Sequence, residues 1–245
     1  MELPVLDPLD PVFPPPESAL RDPNGLLAIG GNLGAETLLA AYRRGIFPWF
    51  EAGQPPLWWS PDPRAVLYPE QIHISRSMAR LRRRGGYRIT TDQAFGAVIR
   101  GCAAPRSGAS GTWILPEMVA AYEALHAAGH AHSVECWLDG ELAGGLYGVA
   151  VGAVFSGESM FSARPNASKL ALIHLARGLA SGGFRLIDCQ LPNPHLTAMG
   201  AHDIPRREFL DTLREAISGA QPTWPDAAIS GMVGPQQTPE QCHDP

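Results

Sequence analysis

The amino-acid sequence predicts an α+β protein, in which a small N-terminal domain precedes a C-terminal domain with a mixed sheet flanked by helices. Helix start and stop signals recur before residue 130. After residue 130 apolar and polar residues alternate, and Asp139–Gly140 is a strong hairpin signal. An amphipathic helix and one more apolar strand follow, so the chain combines helices with strands of a single sheet.

The N-terminal segment is rich in proline up to Pro16 and is expected to run extended. "GLLAIGGNLGAETLLAAYRRG" (25–45) predicts a short strand, a glycine turn and a helix that ends before Gly45. "IFPWFEAGQPPLWWSPDPRAV" (46–66) carries many prolines, which exclude a regular central strand. We therefore expect a structured aromatic loop there.

Three further helices are predicted before residue 130, in "SRSMARLRRRGG", "TDQAFGAVIRGC" and "PEMVAAYEALHAAG". Ser75 is the predicted N-cap of the first and Gly85 its stop. Thr91 or Asp92 is expected to cap the second. Pro116 suits the first turn of the third helix, because its missing N–H is not needed there.

The second half predicts the larger sheet. "HSVECWL" and "ELAGGLYGVAVGAVFSGESMF" supply three or four strands, followed by a helix over 167–183, the buried strand "FRLIDCQ" and a last helix in "PRREFLDTLREAI". This order resembles an acetyltransferase-like sheet. The domains are expected at 1–60 and 61–224, and residues 225–245, rich in Pro, Gly, Gln and Asp, are expected to be disordered.

Composition limits the possible functions. A net charge of −5 argues against a general nucleic-acid binder, although a local basic patch is compatible with it. The four cysteines have neither zinc-ligand nor disulfide-framework spacing, so we expect reduced thiols and no metal. The N-terminus lacks the features of a signal peptide, and no run of about 18 apolar residues could span a membrane. A cytoplasmic protein is expected.

The strand "FRLIDCQ" ends in two polar side chains, Asp188 and Gln190, just before the turn "PNPH". Strand alternation predicts that both face the same way, about 7 Å apart from two rises of ~3.3 Å. An amide beside a carboxylate can orient an amine, and the carboxylate can assist the loss of its proton. The alternative is that Asp188 only pins the turn.

Glu158 lies in "FSGESMFS", between small residues and the apolar Met160 and Phe161. A carboxylate beside apolar residues would attract a cationic group of a ligand. An exposed loop glutamate is the simpler alternative.

Two features could contact nucleic acid. Arg76, Arg80, Arg83 and Arg84 follow i, i+4, i+7, i+8 spacing and form one stripe on a helix, suited to phosphates or simply a solvated face. Four tryptophans lie in predicted loops and could stack on bases or fill the seam between domains: Trp49, Trp58, Trp59 and Trp113.

The sequence lacks a P-loop, a Rossmann glycine fingerprint, H-E-x-x-H and G-x-S-x-G. No Ser–His–Asp or Cys–His set is selected by its spacing. An enzyme with this sequence is therefore expected to use an already activated substrate, which requires positioning and one proton acceptor rather than a nucleophile.

Several stretches together resemble the bacterial leucyl/phenylalanyl-tRNA–protein transferases: "GLLAIGGNL", "AYRRGIFPWF", "WWSPDPRAV", "HISRSM", "GTWILPEM", "GHAHSVE", "GGLYGV", "SGESMFS", "NASK", "LIDCQ" and "HLTAMGAHDIPRREF". The resemblance runs in order from about Phe13 to Leu213. It implies transfer of leucine or phenylalanine from aminoacyl-tRNA to the N-terminal α-amine of proteins that begin with Arg or Lys, which marks them for degradation. It also implies an acetyltransferase-like C-terminal domain and no metal or organic cofactor.

The resemblance assigns roles to residues of this sequence. It implies that Gln190 contacts the amine, that Asp188 polarises Gln190 and supports proton removal, and that Glu158 receives the cationic side chain of the acceptor. The aminoacyl side chain is expected in an apolar pocket of Leu146, Phe155, Met160, Leu172 and Ile187. Trp49 and Trp113 match positions that stack on the terminal adenosine, and the arginine stripe would hold acceptor-stem phosphates.

One alternative is an acetyl-CoA-dependent N-acetyltransferase, which the topology of the second half would allow. No clear glycine-rich pyrophosphate loop leads into a helix, as such an enzyme would need. A tRNA-binding module without chemistry is the other alternative.

Overall fold

The computed structural model describes residues 3–105 and 114–233, so that the predicted contact of Trp113 lies outside the described residues. The strands form two sheets. The smaller has four strands: β1 Val5–Leu6, β2 Leu26–Gly30, β3 Phe47–Pro48 and β4 Leu57–Trp59. The larger has eight: β5 Arg64–Leu67, β6 Tyr87–Thr91, β7 Ala131–Leu138, β8 Glu141–Val151, β9 Val154–Ser162, β10 Leu186–Gln190, β11 His202–Ile204 and β12 Gly231–Val233.

Eight α-helices lie in the described ranges: α1 Ala35–Tyr42, α2 Arg76–Arg84, α3 Phe95–Ala103, α4 Pro116–Ala127, α5 Ala167–Ser181, α6 Pro194–Thr197, α7 Arg206–Ser218 and α8 Asp226–Ile229. The predicted α+β class, with a small N-terminal part and a mixed sheet flanked by helices, is confirmed. The boundary at residue 60 stays a prediction. No helix within residues 3–105 and 114–233 combines the length and apolar character needed to cross a membrane.

The smaller sheet has the order β1-β2-β4-β3. The prediction of an aromatic loop over 46–66 was therefore wrong in part, because β4 occupies an interior position. β4 contains no proline, so its backbone N–H groups are available to the strands on both sides, β2 and β3. Pro48 lies on the edge strand β3, where a missing N–H is tolerated. Trp58 is completely buried and donates its indole N–H to Gly30 O at 2.8 Å.

The larger sheet has the order β11-β5-β10-β9-β8-β7-β6-β12. Its pairs are antiparallel except β9–β10, which are parallel and joined through α5. Such a crossover requires a long connection, and a helix supplies it. The β7–β8 hairpin turns at Asp139 and Gly140, both with positive φ, which confirms the predicted turn.

Helices cover the two faces of the larger sheet. Residues of α3 and α4 pack with the smaller sheet and with Tyr147 and Val149 of β8 in one apolar cluster. Residues of α5 and Met78 of α2 pack with Leu146 and Phe155 in a second cluster. Because Leu146 and Tyr147 are adjacent in a strand, their side chains point to opposite faces of the sheet. Tyr147 therefore lies in the first cluster and Leu146 in the second.

The predicted helix caps have mixed outcomes. Ser75 Oγ accepts from Met78 N at 3.3 Å and caps α2, as predicted. The cap at Thr91 or Asp92 was wrong, because Thr91 ends β6 and α3 begins only at Phe95. A buried carboxylate of the neighbouring strand, Glu135, instead accepts from Ala94 N at the start of α3.

Residues 226–233 correct the prediction of a disordered tail over 225–245. α8 and β12 lie in this segment, and β12 pairs with β6. The buried Ile229 anchors α8, because it packs on Gly178 of α5 where a side chain would collide with it. The short apolar runs "AAI" and "MV", set among proline, glycine and polar residues, were too weak a sequence signal for this. Residues 234–245 lie outside the described ranges.

Candidate active site

A cavity of about 460 Å³ opens where the carboxyl end of β10 meets the smaller sheet. Its walls come from β3, β8, β9, β10, α5 and the segment that contains α6. Six apolar side chains form one wall: Leu146, Phe155, Met160, Leu172, Leu175 and Ile187. All five residues predicted for the aminoacyl pocket are therefore together, with Leu175 in addition. Glu158, Gln190 and Trp49 also line the cavity.

The end of β10 differs from the prediction that Asp188 and Gln190 share one face. A bulge interrupts the pairing of β10 with β5 between these residues, and Gln190 has a φ of 58°. A bulge breaks the strict alternation of side chains. As a result Gln190 lines the cavity together with Ile187 and Cys189, whereas Asp188 is 1% exposed and is not part of the cavity wall.

Asp188 is bound on both carboxylate oxygens. Arg64 Nε donates to Oδ1 and Arg64 Nη2 donates to Oδ2, each at 2.7 Å. Gln190 N donates to Oδ1 at 3.0 Å, and Ser156 Oγ donates to Oδ2 at 3.4 Å. The hydrogen bond from Gln190 N to Asp188 Oδ1 closes a local turn and holds the Gln190 backbone at its positive φ. Asp188 thereby fixes the direction in which the Gln190 side chain leaves the backbone.

Arg64 is a buried charged residue of the site that the sequence patterns did not indicate. It is 1% exposed, donates from Nη1 to Gly45 O at 3.1 Å, and lies over the rings of Phe47 and Phe209 at 5.0 and 4.5 Å from their centroids. Phe47 lines the cavity, so Arg64 connects the cavity wall to Asp188. A charged residue at the start of the apolar run "RAVL" was the one available signal.

Glu158 of β9 and Gln190 of the neighbouring strand β10 contact each other at the cavity wall. Gln190 Nε2 donates to Glu158 Oε1 at 3.2 Å, and Tyr122 Oη donates to Glu158 Oε2 at 2.8 Å. Burial raises the pKa of the Glu158 carboxyl to about 7, although the hydroxyls of Tyr42 and Tyr122 act in the opposite direction. Glu158 is thus poised to become an anion when a cation reaches it.

Three buried tyrosines surround Glu158, and the sequence patterns did not identify them as part of the site. Tyr42 comes from α1, Tyr122 from α4 and Tyr147 from β8, and the hydroxyls of the first two are hydrogen-bonded at 2.5 Å. Burial is the main reason that the pKa of all three phenols is raised. The negative charge of Glu158 raises these pKa values further. All three phenols are therefore neutral near pH 7, and Tyr122 donates to the carboxylate, whereas Tyr147 Oη has no hydrogen-bond partner among the described residues. Helical periodicity marked Tyr42 only as an apolar-face residue.

The predicted nucleic-acid contacts lie outside the cavity or at its mouth. Arg76, Arg80, Arg83 and Arg84 are exposed on α2, and none of them forms an ion pair with another residue in 3–105 or 114–233. Trp49 is 41% exposed at the cavity mouth, and Trp59 Nε1 donates to Trp49 O at 2.7 Å. Their roles stay predictions.

Residues that could bind a metal are not brought together. Within the two described ranges, no three His, Cys, Asp or Glu side chains converge as metal ligands would. Cys189 lines the cavity, but burial raises the pKa of its thiol far above neutrality, so it is not a thiolate nucleophile. The cavity therefore offers an amide, a carboxylate and an apolar pocket, a set suited to positioning two substrates.

Comparison with known proteins identifies the family. The family model described as leucyl/phenylalanyl-tRNA protein transferase matches residues 66–214, and the model for the N-terminal domain of that transferase matches residues 31–62. Among solved structures, a GCN5-related N-acetyltransferase from Kribbella flavida covers 66% of this chain and 58% of its own, with a TM-score of 0.35 and 12% identity.

Two curated relatives match over most of their length. A leucyl/phenylalanyl-tRNA–protein transferase of Nitrosomonas europaea is 56% identical over 217 residues, which cover 88% of this chain and 92% of the relative. The protein of the same name from Pseudomonas syringae pv. syringae is 58% identical over 211 residues, covering 86% and 91%. The resemblance noted from the motifs is confirmed. The chain belongs to the leucyl/phenylalanyl-tRNA protein transferase family, and it is an aminoacyltransferase.

Proposed function

We propose that this chain transfers leucine or phenylalanine from aminoacyl-tRNA to the N-terminal α-amine of proteins that begin with Arg or Lys, and so marks them for degradation. The observation that carries the proposal is the hydrogen bond between Gln190 and Glu158, at the boundary between the apolar wall and the polar end of one cavity. An apolar donor group and a cationic acceptor would meet at this boundary.

The donor side chain occupies the apolar wall. Leu and Phe differ in shape but share bulk and apolarity, and the flexible Met160 can adapt to both. The ester-linked adenosine then extends to the mouth, where the exposed ring of Trp49 can stack on its base. The arginines of α2 bind phosphates farther along the acceptor stem and add affinity that is independent of sequence.

The acceptor side chain pairs with Glu158. A guanidinium or ammonium group supplies the charge that stabilises the anionic carboxylate, whose pKa is near 7 in the free protein. The acceptor cation competes with the Gln190 amide for Glu158 Oε1, so Gln190 is released to contact the α-amine. This exchange brings the amine beside the residue that orients it.

The α-amine must be unprotonated to attack, and with a pKa of about 7.7–8.0 roughly a tenth to a sixth of it is unprotonated at pH 7. Its nitrogen forms a bond to the ester carbonyl carbon, and the bond from that carbon to the ribose oxygen breaks. The nitrogen loses one proton and the leaving ribose oxygen gains one. Asp188 lies beneath the wall with Arg64, so we assign it to holding Gln190 rather than to receiving this proton.

Positioning provides most of the rate increase in this scheme, because the ester is already activated and the amine attacks it directly. Well-oriented reacting groups can lower a barrier by about 7–11 kcal/mol. The apolar wall fixes one reactant and Glu158 fixes the other, so the amine is held against the carbonyl carbon.

Two activated donors offered to the same acceptor test the proposal. Purified protein is incubated with a peptide that begins with Arg and with either labelled leucyl-tRNA or labelled acetyl-CoA. Label in the peptide from leucyl-tRNA alone is expected. Label from acetyl-CoA alone would overturn the proposal, and tRNA binding without any product would indicate a binding module.

A further inference from the structure

Trp224 lies behind the apolar wall of the cavity, although it is outside the part of the chain that the family model matches. Its ring is 5.5 Å from the ring of Phe155 between centroids, with an interplanar angle of 32°. On its other side it stacks on His132 at 4.1 Å and 9°. Phe155 thus separates Trp224 from the cavity.

Phe155 is held between Trp224 and the backbone. It is completely buried and lines the cavity. A Cβ atom placed on Gly148 would lie 2.6 Å from Phe155 Cζ, so the tip of the ring rests against that glycine and cannot move towards it. Movement away from the cavity is opposed by the Trp224 ring. Phe155 is therefore confined between Gly148 and Trp224.

The segment around Trp224 is anchored at several points. His132 Nδ1 and Asp92 Oδ2 are 2.7 Å apart, which fixes the ring on which Trp224 stacks. Beyond Trp224, Thr91 Oγ1 donates to Asp226 Oδ1 at 2.9 Å, and Ile229 is buried against α5. The Trp224 indole nitrogen is buried and has no hydrogen-bond partner in the described part of the chain. Packing, rather than a hydrogen bond, therefore fixes the Trp224 ring.

We propose that Trp224 determines the donor specificity of the transferase by bracing Phe155 at the bottom of the aminoacyl pocket. The proposal rests on the proposed function and adds a residue that touches neither substrate. With the brace in place, the pocket ends at the Phe155 ring. Without it, the ring swings into the vacated space and the pocket deepens, which favours long aromatic donors over leucine.

Competition between donors tests the proposal. Wild-type protein and Trp224→Leu are each given equal concentrations of leucyl-tRNA and phenylalanyl-tRNA with one Arg-starting peptide, and the two products are measured from the same tube. We expect the Phe:Leu product ratio to rise about fivefold or more, within the range known for pocket size differences. The ratio does not depend on the folded fraction, so lower stability cannot imitate the effect.

Ile229→Ala is the matched control, since it removes the packing of α8 on α5 while the Trp224 side chain keeps His132 as its stacking partner. Its product ratio is expected to stay within about twofold of the wild-type ratio, which is small beside the range for pocket changes. An unchanged ratio in Trp224→Leu, or an equal shift in both variants, would overturn the proposal. An equal shift in both variants would mean that packing of the segment on α5, rather than the Trp224 ring, sets the product ratio.

A crystal structure of Trp224→Leu separates this proposal from the proposed function. A displaced Phe155 ring and a deeper cavity are expected, and a ring in its wild-type position would overturn the bracing role even if transfer were never observed. Absence of transfer by the wild-type protein from either donor would instead count against the proposed function.

Discussion

Arg64 and Asp188 form a bidentate ion pair that is almost completely buried, with both contacts at 2.7 Å. The residues are 124 positions apart in the sequence and join β5 to β10 beneath the floor of the cavity. Asp188 holds the backbone of Gln190, and Arg64 packs on Phe47 of the cavity wall. The pair therefore supports both sides of the site without facing either substrate.

Asp188→Asn is expected to destabilise the protein by about 3–5 kcal/mol, because it leaves the Arg64 guanidinium buried without its counter-ion. Urea denaturation measures the free energy of unfolding. The exposed pair Arg185–Glu215 gives the control, and Glu215→Gln should cost less than about 1 kcal/mol. Equal, small decreases in both variants would contradict the supporting role of Asp188.

Gln190→Ala is expected to lower kcat by about 10- to 100-fold while the affinity for aminoacyl-tRNA stays near the wild-type value, since the variant cannot make one oriented hydrogen bond to a reacting group. Gln190→Asn is the control for the backbone, because asparagine tolerates positive φ but has too short a side chain to reach Glu158. Single-turnover transfer at saturating acceptor provides the measurement. A wild-type rate in both variants would remove Gln190 from the mechanism.

The pH dependence of stability tests the environment of Glu158. The folded protein raises the pKa of this carboxyl from 4.5 to about 7, so the folded state binds the proton more tightly than the unfolded state. The cost of the buried charge is absent below pH 4.5, grows as the pH rises through this window and is complete above pH 7.

Glu158→Gln avoids this cost. The difference in free energy of unfolding between the variant and the wild type is therefore expected to shift in favour of the variant by about 1–3 kcal/mol from pH 5 to pH 8. Urea denaturation at the two pH values measures the gain. Glu36→Gln, at an exposed position on α1, is the control and should change little, because water solvates that carboxylate in both states. A gain for Glu158→Gln that is the same at both pH values would show that its carboxyl is not perturbed.

The arginine stripe of α2 is expected to act through phosphates. Arg83→Ala/Arg84→Ala should reduce the slope of log affinity against log salt for aminoacyl-tRNA by about one for each phosphate that the two arginines neutralise. Arg185→Ala/Arg214→Ala changes the net charge equally, but its arginines are paired with acidic residues on other faces. If both double variants gave the same slope, the stripe would be a solvated helix face.

Sequence patterns predicted the elements that are decided locally. Ser75 caps α2 because its side chain reaches an N–H three residues away, and the Asp139–Gly140 turn follows from the positive φ that these residues accept. The helix α5 follows from its amphipathic pattern. Each of these depends on neighbours within a few positions, which a sequence displays directly.

The geometry of the site could not be predicted in the same way. Alternation in "LIDCQ" placed Asp188 and Gln190 on one face, and the bulge that separates them depends on pairing with β5. Neither the Arg64–Asp188 pair nor the contact of Tyr122 with Glu158 leaves a local pattern, because each joins distant segments. The pocket residues were found through the family motifs rather than through periodicity.

Acceptor selectivity of a Glu158 variant is the most direct test of the claim that Glu158 and Gln190 receive a cationic N-terminal residue in one cavity with the donor. Wild-type protein and Glu158→Gln are compared with peptides that begin with lysine or with norleucine, which lacks only the amino group of the lysine side chain. The measurement is kcat/KM at fixed leucyl-tRNA. We predict that kcat/KM of Glu158→Gln falls about 10- to 100-fold with the lysine peptide, as expected for a charge-assisted hydrogen bond, and changes little with the norleucine peptide. An equal decrease of kcat/KM with both peptides, or no decrease with either, would contradict the claim that Glu158 receives the cationic side chain.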